Sequence, residues 1–113
     1  MIDIEAADFE QMVSEALDGL PPEFGRRMRN VAVVVDADGG PPGLLGLYQG
    51  VPLTRRSPYY SAVMPDKITI YQRAICAICN SPDDVREQVR RTVIHEVGHH
   101  FGISDGRLHE LGW

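Results

Sequence analysis

His95, Glu96 and His99 form the pattern H-E-x-x-H near the end of the chain. Two histidines four positions apart on a helix project from one face about one turn apart, so both imidazoles can reach one metal ion. The glutamate between them lies beside that face and can contact a metal-bound water without being a ligand. These residues therefore predict a Zn²⁺ site with His95 and His99 as ligands and Glu96 as the catalytic group that activates the water.

The pattern continues with Gly102, three residues after His99, and with Asp105, three residues further on, giving H-E-x-x-H-x-x-G-x-x-D. Glycine accepts the left-handed backbone conformation that commonly ends a helix, so the chain can turn back there. That reversal would present Asp105 to the metal as a third ligand. The two added positions make a chance match rarer by a factor of roughly two hundred, from average residue usage.

Other interpretations of neighbouring residues stay open. Asp105 lies in a Ser-Asp-Gly segment, which is also typical of turns. His109 and Glu110 are the rival third ligands, although His109 lies further from His99 than a tight glycine reversal favours. His100 points about 100° away from His99 on a helix, so we expect it to pack or to form hydrogen bonds.

The helix that carries the motif has a clear start signal. Ser81 is a good N-cap, Pro82 suits the first helical position, and Asp83 and Asp84 complement the positive helix end. From there the sequence predicts a helix that runs to Gly102. Its predicted core face is an apolar stripe of residues at helical spacing: Val85, Val89, Val93 and Val97, extended by Ile94 and Phe101. The motif histidines fall outside this stripe.

The rest of the chain predicts short elements of both kinds. Residues 4–18 have the one-sided apolar spacing of a helix, and the segment AICAIC could form another short one. Strands are predicted at three places: a buried one at 30–36, an irregular or edge one at 44–50, and a half-buried one at 67–73. We therefore expect an α+β fold in one domain, residues 1–113.

Composition and charge restrict the class of protein. The formal net charge of −5 argues against nucleic acid as a partner, because phosphate binding needs a concentrated positive field. No apolar run approaches the length of a membrane span, so no membrane partner is expected. The acidic N-terminus does not resemble a signal peptide, and we expect the protein to be cytoplasmic.

Two further groups of residues have side chains that could take part in chemistry, but their sequence pattern is less specific than that of the motif. Cys76 and Cys79 form a single C-x-x-C, for which two small buried side chains are favoured over a metal or redox site. If the activated water attacks a carbonyl, a further group must stabilise the oxyanion that forms. Spacing does not select among the candidates, which are Tyr48, Arg55, Tyr59, Tyr60 and Tyr71. Substrate-binding residues are therefore unassigned.

The extended motif resembles the zinc signature of the metzincin branch of the zincins, with Asp105 in place of the third histidine, and its Asp form resembles that of snapalysin-type bacterial peptidases. LLGLYQG, DKITIYQR and RRTVIHEVGHHFGISDGRLHELGW resemble small bacterial zincin-like metallopeptidases, over residues 8 to 113. The resemblance implies a compact zincin fold, with the metal helix beside a small mixed β-sheet and an N-terminal helix. It implies no particular substrate.

The chain departs from the metzincin pattern downstream of the motif. It has no methionine after Met64, and eleven residues follow Gly102.

We expect a zinc metallopeptidase that hydrolyses bonds of peptides or flexible protein segments through a zinc-bound water activated by Glu96. The alternative, favoured by the departures, is a zincin-fold metal-binding or regulatory module without efficient turnover. A third interpretation is an amidohydrolase of a small metabolite. The oligomeric state is open.

Overall fold

The computed structural model describes residues 1–28, 30–52 and 66–112. Within these ranges the chain forms five helices and three strands. The helices are α1 (Ala6–Asp18), α2 (Pro22–Arg27), α3 (Gln72–Ala77), α4 (Pro82–His100) and α5 (Asp105–Glu110), and the strands are β1 (Val31–Asp36), β2 (Gly46–Gln49) and β3 (Asp66–Tyr71). The predicted α+β class, with an N-terminal helix and a long helix against a small mixed sheet, is confirmed.

The described sheet has the strand order β1-β3-β2, with β1 parallel and β2 antiparallel to β3. The prediction that the 67–73 strand is half-buried was wrong, because β3 is the central strand and Lys67 is its one exposed residue. Conversely, the 30–36 strand was expected to be buried, yet β1 is only half-buried and Val34 is exposed. A local pattern does not reveal where a strand lies in the sheet or which elements pack against it.

The core lies between α1, α4 and the sheet. The four valines of α4 that were predicted to form its core face are at most 1% exposed. They belong to the same apolar cluster as residues of α1 and β3: Phe9, Met12, Val13, Ala16, Ile68 and Ile70. With one side of α4 occupied in this way, its opposite side is left to face a groove.

Both ends of α4 follow the predicted signals. The Ser81 hydroxyl accepts a hydrogen bond from the backbone N–H of Asp84, at 3.1 Å. At the other end Gly102 has a φ of 79°, and its N–H donates to the carbonyl of His99. The N–H of Ile103 donates to the carbonyl of Gly98, which completes a Schellman motif. The glycine therefore lies just outside the helix and reverses the chain.

We expect Ser81→Ala to lower the free energy of unfolding by about 1 kcal/mol, because the substitution leaves a helix N–H without its cap. Urea denaturation of the metal-free protein measures the change. The matched control is Ser14→Ala, since Ser14 is exposed inside α1 and caps no helix end. Equal losses in both variants would contradict the capping role.

The described residues contain no helix that is long and apolar enough to span a membrane. Cys76 and Cys79 are both buried free thiols, and burial raises the pKa of each. The prediction that both side chains are buried is confirmed.

Candidate metal centre

The last two turns of α4 place His95 and His99 on one side of the helix. Their ring centroids lie 6.1 Å apart, as expected for residues one turn apart. Both rings are half-buried, and they lie away from the valine face, as the sequence predicted. Their nitrogen atoms are therefore accessible from the groove.

Asp105 reaches these histidines because the chain reverses at Gly102. Its Oδ1 atom lies 2.8 Å from Nε2 of His99 and 3.6 Å from Nε2 of His95. The cap of α5 is formed by Ser104, whose hydroxyl accepts a hydrogen bond from the N–H of Arg107. In this segment the side chain of Ser104 therefore caps the turn, and the Asp105 carboxylate faces the histidines.

Leu108 fixes α5, and with it Asp105, against α4. Its side chain is fully buried although the residues around it are exposed. The contact needs a glycine on α4, since a Cβ atom at Gly98 would lie 2.6 Å from Cδ2 of Leu108. Gly98 occupies a variable position of the motif, so the motif alone did not indicate this role.

We expect Leu108→Ala to lower the free energy of unfolding by about 2–5 kcal/mol, the usual cost of truncating a buried leucine. Zinc affinity should fall as well, because Asp105 loses its anchor. Leu111→Ala is the control, since Leu111 lies on the next turn and is 42% exposed. Denaturant titration and zinc titration measure the two effects, and wild-type values of both in Leu108→Ala would refute the anchor.

Glu96 is buried beside the histidines. Its Oε1 atom lies 3.2 Å from Nδ1 of His99. Strand β2 approaches it closely, because Gly46 has no side chain: a Cβ atom there would lie 2.7 Å from Cγ2 of Thr92 and 3.2 Å from Cγ of Glu96. The side chain of Glu96 therefore packs closely against β2, and it still lines the groove.

The two carboxylates change the protonation of His99. Burial of the ring lowers its pKa, but hydrogen bonds to Asp105 and Glu96 and their negative charges raise it more, so the pKa lies above its ordinary value. The hydrogen bond from His99 lowers the pKa of Asp105. A proton on His99 competes with a metal ion, and ion binding should therefore release protons.

The donor atoms suit zinc in kind and nearly in spacing. At Zn–N and Zn–O bonds of about 2.0–2.2 Å, two ligands of a tetrahedral ion lie about 3.3 Å apart. The two distances to Asp105 Oδ1, 2.8 Å and 3.6 Å, bracket that value. Within residues 1–28, 30–52 and 66–112 no group of three or more His, Cys, Asp or Glu side chains is already placed so that it could hold a metal ion. The side chain of Asp105 is 75% exposed, so a small rotation can replace its hydrogen bond to His99 with a bond to a metal ion.

An open groove of about 410 Å³ passes these residues. It is lined by the motif side chains, by the start of β2 and by the preceding turns of α4: Leu44, Leu45, Gly46, Gln88, Arg91 and Thr92. A second hollow of about 380 Å³ shares His99 and Asp105 and continues towards Tyr48, Pro52 and Ile103. The candidate site therefore lies in the middle of an extended depression along β2.

The other candidates of the sequence have different positions. His109 and Glu110 lie on α5, do not line either hollow and are exposed. His100 is buried and hydrogen-bonded to Asp66, as its expected role requires. The hydroxyl of Tyr48 donates to Asp66 rather than pointing freely into the groove, and Tyr71 is buried. Three further oxyanion candidates lie outside the described residues: Arg55, Tyr59 and Tyr60.

Residues 28–113 match the family model described as zincin-like metallopeptidase. The chain belongs to the zincin-like metallopeptidase family. The predicted family resemblance is thus confirmed, and the match contains the whole motif and the three described strands. The closer likeness to metzincin and snapalysin-type sites stays a prediction.

The fold is similar to that of a solved structure, a conserved hypothetical protein from Thermo thermophilus. The two have a TM-score of 0.64 and 24% sequence identity, and the match covers 87% of this chain and 94% of the other. At this identity the likeness shows the fold alone. No curated protein matches the chain.

Proposed function

We propose that this zincin-like chain is a zinc-dependent metallopeptidase, in which His95, His99 and Asp105 hold the ion and Glu96 acts as general base. The observation that carries the proposal is the convergence of two imidazoles and one carboxylate beside a second, buried carboxylate in an open groove. A structural zinc site usually has four protein ligands, often with Cys, whereas three ligands leave a position open for chemistry.

A bound zinc ion would supply a Lewis acid that polarises the scissile carbonyl and lowers the pKa of a water. His95 and His99 would bind it as neutral imidazoles through the Nε2 atoms that face Asp105. The Nδ1–H of His99 then donates to Glu96, which orients both side chains. Glu96 accepts a proton from the attacking water and delivers it to the leaving amine, so that the peptide bond breaks into an acid and an amine.

An extended peptide segment is the substrate shape that the groove favours. The groove passes the start of β2 beside the motif side chains, and a peptide that lies along β2 as an added strand would bring its scissile bond beside the motif. The shallow groove is less suited to a small metabolite, which needs an enclosed pocket.

The second candidate is a zincin-fold metal-binding module without efficient turnover. It is favoured by the exposure of Asp105 and of most of α5, which leave one side of the site open to water. Catalysis gains from water exclusion, because electrostatic interactions are stronger in a dry site.

Metal analysis combined with a peptide-library digest tests both candidates. We expect one zinc ion per chain after dialysis, and cleavage that stops with a chelator and returns when zinc is added back. One zinc ion per chain without cleavage would select the second candidate. A chain that takes up no zinc under replete conditions would refute both.

A further inference from the structure

Asp66 forms a buried polar cluster with Tyr48 and His100, outside the candidate donor set. The Oδ2 atom of Asp66 accepts from the Tyr48 hydroxyl at 2.7 Å and lies 2.7 Å from Nδ1 of His100. Asp66 is 2% exposed and His100 is fully buried. Since Oδ2 serves as the acceptor, the ring of His100 is assigned the tautomer with its proton on Nδ1.

The cluster joins the two elements that line the groove, β2 and α4, to the central strand β3. Tyr48 belongs to β2, Asp66 begins β3, and His100 ends α4. The backbone N–H of Asp66 also donates to the carbonyl of Asn30, at 2.9 Å, which fixes the position of the carboxylate. The rings of Tyr48 and His100 pack edge to face, with centroids 5.8 Å apart.

His100 follows His99 directly, so the two rings point in directions about 100° apart around α4. One ring faces the groove while the other is held at the sheet. The last turn of a helix has few hydrogen bonds beyond it and opens easily. A side-chain anchor in this turn therefore fixes the rotation of His99 and the start of the reversal that leads to Asp105.

The second nitrogen of His100, Nε2, is buried and has no hydrogen-bond partner in the described part of the chain. An unpaired buried polar atom is unfavourable. A phenylalanine would occupy a similar volume without that penalty. The presence of histidine is therefore explained by the bond that its other nitrogen makes to Asp66.

We propose that Asp66 is a positioning residue for the metal centre: through His100 and Tyr48 it holds the end of α4 and strand β2 in register, and so sets the affinity for zinc. The proposal rests on the proposed function, because it concerns the same ion. Asp66 is not one of the candidate ligands and does not line the groove.

Zinc affinity, measured by competition with a chromophoric chelator, tests the proposal together with thermal melting of the metal-free protein. We expect Asp66→Asn to weaken zinc binding about tenfold or more, in the range found when supporting partners of a metal site are lost. Tyr48→Phe removes the hydrogen bond from the Tyr48 hydroxyl to Asp66 and should weaken zinc binding by a smaller factor. The matched control is Phe9→Leu, a buried change in α1 that lowers stability away from the groove.

The outcomes separate this proposal from the proposed function. A wild-type chain without zinc affinity would refute the function itself. The positioning role alone would be overturned by a different result. In that case the wild type binds zinc, and Asp66→Asn and Tyr48→Phe bind it no more weakly than Phe9→Leu does. If Asp66→Asn does not fold, Tyr48→Phe decides in the same way. Faster amide hydrogen exchange at Gly102 and Ile103 in Tyr48→Phe than in the control is expected.

Discussion

Glu96→Gln should remove nearly all peptide hydrolysis while zinc stays bound. A general base contributes about 10²–10⁴-fold to the rate, and the glutamine amide cannot accept the proton of the attacking water. The two side chains have the same shape, so the close packing of residue 96 against Gly46 and Thr92 is kept. Steady-state kcat on a fluorogenic peptide and zinc content of the same sample measure the two effects.

The control for this variant is Glu10→Gln, which makes the same chemical change at an exposed position of α1. It should retain wild-type kcat and zinc content. Hydrolysis by Glu96→Gln at the wild-type rate would exclude Glu96 as the general base. Loss of zinc in that variant would instead show that the carboxylate supports the ion.

His99→Ala should weaken zinc binding by at least about a hundredfold, since loss of a ligand exceeds the 10–100-fold cost of losing a supporting residue. The structure gives His99 a central place, because its two ring nitrogens lie 2.8 Å from Asp105 and 3.2 Å from Glu96. Competition with a chelator over a range of zinc concentrations measures the change.

The chain offers a matched histidine for comparison. His109→Ala changes an exposed residue of α5 that does not line the groove, and its zinc affinity should equal that of the wild type. Comparable losses in both variants would identify His109 as a ligand and would contradict the site centred on Asp105.

Much of α4 and of the candidate site follows from local sequence. The Ser81 cap, the valine stripe and the reversal at Gly102 each depend on residues within a few positions of one another. Local signals of this kind are largely independent of the rest of the fold. For this reason the spacing of the motif predicted that His95, His99 and Asp105 come together.

The contacts that the sequence did not reveal join residues far apart in the chain. Asp66 and His100 are separated by 34 positions, and neither shows a pattern that pairs it with the other. The burial of β3 likewise depends on its central place in the described sheet and on the packing of α4 against it. The packing of Leu108 on Gly98 depends on how α5 folds back after the reversal. Each of these requires the tertiary structure.

The three candidate ligands lie within one short segment, from His95 to Asp105. Closing so short a loop costs little chain entropy, so an unfolded chain can also chelate zinc with part of this segment. Binding to the unfolded state subtracts from the stabilisation that a ligand gives to the folded state. Zinc should therefore raise the melting temperature less than its affinity for the folded protein alone implies, and a thermal shift will underestimate how tightly the ion is held.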